Sequence, residues 1–261
     1  MLLNAVILVL REVIEAALIF SLFLAFSQLF GRAKVSLLLA LVMGLVLATF
    51  YALNINSISQ WLDGVGQEII NASICFLIYL LLLIFVIRVI SEKTQQDSWL
   101  SSATMIAGII LATTQEGAEI ILYIHGFSFS PELFRPVLFG SLIGAGIGLS
   151  VGIFIYYLLI NLSKTARLGV GFVIVLLIAG STLLQSAQLL TQADWIPSQY
   201  PLWDSSALIS EHSFGGQMLY ALVGYEATPT PIQVISYLVG LMLILVLSGY
   251  FYFYHKKPPH A

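Results

Sequence analysis

Long apolar segments alternate with short polar ones along the whole chain. A helix that crosses a bilayer needs about 20 mostly apolar residues. Seven segments meet this requirement: residues 2–30, 35–53, 67–90, 101–125, 137–160, 168–190 and 231–254. The longest polar stretch between them covers residues 191–230. This pattern predicts an all-α membrane protein with seven transmembrane helices, which form a single transmembrane domain over residues 1–261.

The Lys and Arg residues near the ends of these segments predict the orientation of the bundle. Arg135 alone falls on one side, and eight basic residues fall on the other. These eight are Arg32, Lys34, Arg88, Lys93, Lys164, Arg167, Lys256 and Lys257. Basic residues accumulate on the cytoplasmic side of membrane proteins. We therefore expect the N-terminus and residues 191–230 to lie outside, and the C-terminus to be cytoplasmic.

The first three predicted helices resemble the next three in sequence. At an offset of 104, residues 11–16 align with residues 115–120, and Gly44 aligns with Gly148. Because each unit has an odd number of helices, the units would insert in opposite directions, as in many secondary transporters. We therefore predict a 3+3 inverted repeat plus one extra helix; the alternative is a chance match of Gly and Glu residues. The expected divisions are about 1–100 for repeat one, 101–190 for repeat two, 191–230 for an outer loop and 231–254 for the last helix.

The composition excludes several classes of protein. Hydrophobic residues make up 59% of the chain and charged residues 9%, whereas a soluble domain has roughly 25% charged residues. The net charge is −3 without a dense basic cluster, so the expected surroundings are membrane lipid and not nucleic acid. The single cysteine, Cys75, excludes an intrachain disulfide and a thiolate-rich metal site. We expect a multi-pass protein of the plasma membrane.

Four carboxylates lie inside two of the predicted membrane helices. Glu12 and Glu15 are in the first helix, and Glu116 and Glu119 are in the fourth. Positions i and i+3 share a helix face, so the two pairs can converge on one point. Charged residues cost roughly 2.5–3.5 kcal/mol each at mid-membrane, which requires a compensating role. Oxygen ligands without thiolates suit hard cations, and the alternative is a buried Arg–Glu network that fixes helix register.

The residues next to these carboxylates differ between the two copies. Arg11 lies four residues before Glu15 on the same helix face, where we expect a salt bridge between them. Gln115 stands at the equivalent position of the second copy. The four glutamates and Arg11 sum to −3 when all are charged, which would balance a trivalent cation.

The segment Arg11–Glu15 resembles the Arg-Glu-x-x-Glu motif of the oxidase-dependent iron permeases, the high-affinity ferric iron transporter family. Residues 115–119 look like its second copy, and residues 216–230 resemble the family's outer approach to the last helix. The chain departs from the motif at two positions. Gln115 replaces the second arginine, and Val13 replaces the commoner glycine.

The resemblance implies a high-affinity permease that moves Fe³⁺ across the plasma membrane, here the bacterial inner membrane, into the cytoplasm. It implies Glu12, Glu15, Glu116 and Glu119 as the metal ligands, with Arg11 and Gln115 in supporting roles. An extracytoplasmic oxidase or iron-binding protein would supply the metal. No cofactor is expected.

Other functions remain open from the residues alone. A proton-coupled or divalent-cation carrier, for Mn²⁺ or Fe²⁺, could use the same carboxylates, and a non-transporting membrane subunit is a further alternative. The sequence has no Ser/His/Asp arrangement or His-Glu-x-x-His motif, so we expect no enzymatic activity and no catalytic residues.

Weaker signals lie elsewhere in the chain. Ser181, Gln185 and Gln188 form a polar stripe that either bonds other helices or lines a hydrated pathway. Glu68 is expected to start a helix near water, and His212 is a weak candidate for metal capture in the outer loop. Small residues let helices approach closely. We therefore expect tight packing along one face of the fifth predicted helix, at Gly140, Gly144, Gly148 and Gly152.

Overall fold

The computed structural model describes residues 1–29, 34–91, 98–211 and 213–256. Within these ranges the secondary structure is helical, without β-strands. The α-helices are α1 (Leu2–Leu29), α2 (Lys34–Leu53), α3 (Ile55–Ser59), α4 (Gly66–Ser91), α5 (Ser98–Gly126), α6 (Pro131–Asn161), α7 (Lys164–Gln192), α8 (Phe214–Val223) and α9 (Pro231–Lys256). Arg32, Lys93, His212 and Lys257, which entered the predictions above, lie outside the described residues.

Six of the described helices are long and apolar enough to cross a membrane, which confirms an all-helical membrane protein. They are α2, α4, α5, α6, α7 and α9. α1 has 28 residues and is long enough as well, but it carries three charged residues, Arg11, Glu12 and Glu15. The seventh crossing, through α1, and the orientation of the termini therefore stay predictions.

Small residues bring α1 into close contact with α6. Gly140, Gly144, Gly148 and Gly152 are all buried along one face of α6. A Cβ atom built on Gly144 would lie 2.4 Å from the carbonyl oxygen of Val6, closer than any side chain tolerates. The expected tight packing of the glycine face is thus confirmed, and its partner is the helix that carries Glu12.

α2 packs against α5 by the same means. A Cβ atom on Gly44 would lie 2.7 Å from Cβ of Thr113 in α5. α4 lies against α7, which in turn contacts α9. α1 contacts α5 and α8, and α4 contacts α5, so these helices surround the carboxylates of α1 and α5.

An apolar core fills the part of the bundle beyond the carboxylates. The later half of α1 contributes Phe23 and Phe26, whose rings meet Phe85 of α4 edge to face at 5.0 and 5.3 Å between centroids. Met105 and Ile109, from the earlier half of α5, belong to the same buried cluster. One half of the bundle interior is therefore apolar, and the other half contains polar residues.

Candidate metal site

Three of the four predicted ligands converge in the polar half of the bundle. Glu12 comes from α1, and Glu116 and Glu119 come from α5; one carboxylate oxygen of each lies within 4.8 Å of the other two. Glu12 is 2% exposed and Glu116 is 6% exposed. Carboxylates this close repel one another strongly away from water, unless protons or a cation neutralise them. The cluster offers the oxygen ligands that a hard cation requires.

Arg11 forms its ion pair with Glu12, and the expected salt bridge to Glu15 is wrong. Its Nε donates to Oε1 of Glu12 at 2.9 Å, and Nη2 donates to the same oxygen. The guanidinium also lies over the ring of Tyr220, 5.3 Å from the centroid. Glu15 instead accepts a hydrogen bond from Gln185 of α7.

Glu15 stands apart from the other three carboxylates. Its Oε2 accepts a hydrogen bond of 2.6 Å from Nε2 of Gln185. Its Oε1 is buried and has no hydrogen-bond partner among the described residues. The structure thus gathers three of the predicted ligands and places the fourth beside them, and ligation by all four stays a prediction.

The carboxylate cluster opens into a polar cavity of about 390 Å³. Five helices, α1, α4, α5, α7 and α8, supply polar groups to its wall. These groups are Arg11, Glu12, Gln67, Glu68, Asn71, Gln115, Glu116, Glu119, Gln185, Gln188, Gln192 and Tyr220. A cavity of this size holds an ion with its hydration shell.

Several of these wall residues were not selected from the sequence. Glu68, expected only as a helix-start carboxylate, lines the cavity, and its Oε2 is buried without a hydrogen-bond partner among the described residues. Gln67 and Asn71, four residues apart on α4, carry a helical-face signal that could have identified them. The predicted polar stripe of Ser181, Gln185 and Gln188 agrees with both of its interpretations. Gln185 donates a hydrogen bond to Glu15 of α1, and Gln185 and Gln188 line the cavity.

Gln115 also lines the cavity, where it contacts the single cysteine. Its Nε2 lies 3.2 Å from Sγ of Cys75, and the same sulfur lies 3.5 Å from Oε1 of Gln185. Gln115 therefore joins α5 to α4 and α7 through neutral polar contacts. A second guanidinium at this position would have added a positive charge to the cavity wall.

The segment before α9 approaches the site from the side of Arg11, because Glu211 and Glu226 line a cavity together with Arg11. Oε1 of Glu211 accepts hydrogen bonds from the backbone N–H groups of Ala227 and Thr228, at 2.7 and 2.9 Å, and so fixes this segment. Glu226 accepts a 3.2 Å hydrogen bond from Gln188. Burial raises the pKa of Glu226 from 4.5 to about 7, and the nearby Glu211 carboxylate contributes.

Comparison with known proteins adds independent information. The family model described as the iron permease FTR1 family matches residues 2–257. The chain is similar to the ferrous iron permease EfeU of Yersinia pestis, with 24% identity over 91% of this chain and 89% of the relative. It is 23% identical to proteins of the same name from Escherichia coli O6:K15:H31 and Shigella sonnei, over 92% of each chain. No solved structure matches the chain. These bacterial relatives and the six apolar helices assign it to the inner membrane as a multi-pass protein.

Proposed function

This chain belongs to the iron permease FTR1 family, and we propose that it carries iron into the cytoplasm through the cavity at the carboxylate cluster. One observation carries this proposal: Glu12, Glu116 and Glu119 converge, largely buried, at the wall of a cavity that accommodates a hydrated ion. Membership of a permease family favours transport over catalysis or a purely structural role.

Carboxylate oxygens would replace part of the ion's water shell at the cluster. Hard cations bind carboxylates, carbonyls and water, all of which a polar cavity supplies. Arg11 orients the Glu12 carboxylate through its two hydrogen bonds. Glu15 lies next to the cluster, and we propose that it joins Glu12, Glu116 and Glu119 as a ligand during transport.

We also propose that α1 completes seven crossings in a 3+3 inverted repeat, with α9 as the extra helix. Pairs of packed helices support this arrangement, because α1 contacts α6 as α5 contacts α2. Gly148 and Gly44, which are equivalent in the repeat, lie at these two contacts, against Val13 and Thr113. In this arrangement the carboxylate cluster lies at the interface between the two repeats, which is the usual place of the binding site in transporters of this type. The excess of basic residues on the side of the C-terminus favours an outside N-terminus and a cytoplasmic C-terminus.

The oxidation state of the cargo has two candidates. Ferric iron is favoured by the hard oxygen ligands and by the formal charge of −3 on the four glutamates with Arg11. Ferrous iron is favoured by the names of the EfeU relatives, which are called ferrous iron permeases. If the cargo is Fe³⁺, an extracytoplasmic oxidase or iron-binding protein supplies it.

Radiolabelled iron uptake into proteoliposomes tests the proposal and separates the two candidates. One arm offers Fe³⁺ as a weak citrate complex, and the other offers Fe²⁺ kept reduced by ascorbate. Uptake in the citrate arm alone supports the ferric candidate, whereas uptake confined to the ascorbate arm establishes the ferrous one. Absence of uptake in both arms, or equal transport of Mg²⁺, would reject iron permeation by this chain.

A further inference from the structure

A second, much smaller cavity lies next to the large one. Its volume is about 20 Å³, and its polar wall groups include Glu15, Cys75, Ser181 and Thr182. Gln115, Glu116 and Gln185 line both cavities. These three side chains therefore form the partition between the two spaces.

We propose that the small cavity is a second iron station, in which Glu15 is a ligand and Gln185 is the positioning residue that controls transfer. This inference rests on the proposed function and assigns the next step to an ion that has reached the cluster of Glu12, Glu116 and Glu119. Transfer requires the ion to pass the partition formed by Glu116 and Gln185.

The free oxygen of Glu15 is the main argument for a ligand in this cavity. Gln185 occupies Oε2 of the carboxylate at 2.6 Å, whereas Oε1 is buried without a partner among the described residues. A buried carboxylate oxygen in this state requires a proton or a cation. The amide of Gln185 thus fixes the orientation in which Oε1 can bind an ion.

Two hydroxyl groups complete the donor set of the small cavity. Ser181 and Thr182 donate to the carbonyl oxygens of Ile178 and Ala179 in their own helix, at 2.9 and 3.1 Å. Their oxygen lone pairs stay available for a cation, because a hydroxyl donates one hydrogen bond and keeps two acceptor sites. The station therefore offers the Glu15 carboxylate, two hydroxyl oxygens and the shared carboxylate of Glu116, a set that suits a hard cation.

The size of the small cavity implies that the ion enters almost without water. A site needs about 10–15 Å³ of such volume to hold one water molecule, so about 20 Å³ holds one particle of that size. An ion would leave its hydration shell in the large cavity. The oxygen atoms of the station would replace the water ligands that the ion loses.

Cys75 provides a native reporter of the small cavity, because it is the single cysteine of the chain. The experiment measures the rate at which methyl methanethiosulfonate modifies Cys75 in the reconstituted wild-type protein, with and without metal. The metals are Ga³⁺ as its citrate complex, which has the charge of Fe³⁺ without its redox chemistry, and Fe²⁺ under anaerobic conditions. At about ten times the dissociation constant, an ion in the station slows modification about tenfold. Citrate without metal, at the same concentration, leaves the rate unchanged.

Variants identify the residues responsible. Glu15→Gln and Gln185→Leu should remove the protection of Cys75, whereas Gln192→Leu, on the same helix but lining only the large cavity, should retain it. Gln185→Leu should also lower the maximal rate of iron uptake while the half-saturating concentration stays unchanged, because binding at the first cluster is intact. A merely structural role for Gln185 would instead reduce the amount of folded protein.

Three outcomes overturn the second station. One is an equal modification rate of Cys75 with and without metal, another is protection that survives Glu15→Gln, and the third is full uptake by Gln185→Leu. If Cys75 is too buried to react, Ala221→Cys in a Cys75→Ser background must show the same protection, because Ala221 lines this cavity without belonging to the donor set. Iron uptake by the wild type together with an unprotected reporter would reject this inference alone, whereas a wild type without uptake would reject the proposed function.

Discussion

Replacing Glu116 by glutamine should weaken iron binding and stabilise the metal-free protein at the same time. Glu116 is 6% exposed, and its carboxylate lies within 4.8 Å of the nearest oxygens of Glu12 and Glu119. One pair of unit charges 4 Å apart interacts by about 4 kcal/mol at an effective dielectric constant of about 20. The loss of this carboxylate should therefore reduce iron affinity by about a thousandfold.

The expected gain in stability has the same electrostatic origin. Without metal, each ionised pair at this separation costs on the order of 3 kcal/mol, and protons shared within the cluster reduce that cost. Glu116→Gln keeps the shape of the side chain and removes its charge. The metal-free variant should consequently unfold at a higher temperature than the metal-free wild type, as expected where function requires a destabilised site.

The assay combines metal titration with thermal unfolding of the purified protein in detergent. The matched control is Glu132→Gln, which removes a carboxylate from the exposed first turn of α6 and should change neither quantity appreciably. Iron binding by Glu116→Gln within about tenfold of the wild type would refute the electrostatic reasoning. A lower unfolding temperature for the metal-free variant would show that Glu116 has a structural role instead.

Three further predictions concern stability and pH. The pKa of Glu226 is raised from 4.5 to about 7, so the folded state binds one more proton than the unfolded state between these pH values. The wild type should therefore lose stability as pH rises through this window. The unfolding midpoints at pH 5 and pH 8 should differ less in Glu226→Gln than in the wild type. The Cβ atom introduced by Gly144→Leu would meet the backbone of α1, so this variant should lower the free energy of chemical unfolding by about 1–3 kcal/mol. Gly146→Ala, which has open space around its Cβ atom, should lower it little. Arg11→Leu leaves Glu12 unpaired and should lower the free energy of unfolding by about 3 kcal/mol. If this variant were as stable as the double variant Arg11→Leu with Glu12→Leu, the buried ion pair would be contradicted.

The sequence by itself predicted the helices and the carboxylates from which the cluster is built. Apolar segments of membrane-spanning length predict helices because a backbone in lipid must satisfy its own hydrogen bonds. The i and i+3 spacing of Glu116 and Glu119 places both on one face of α5, and the structure brings both to the cluster. The close approach of α6 to α1 was also predictable, since Gly140 and Gly144 repeat at helical spacing.

Only the tertiary structure decided which groups pair with which. Spacing along α1 made Glu15 the expected partner of Arg11, yet Glu12 has that role. Glu15 instead accepts a hydrogen bond from Gln185, 170 residues away in sequence. The separation of Glu15 into its own cavity and the entry of Glu68 into the large cavity depend on how α4 and α7 pack around α1. Local periodicity defines which face of a helix a residue occupies, whereas the partner on that face is set by packing between distant segments.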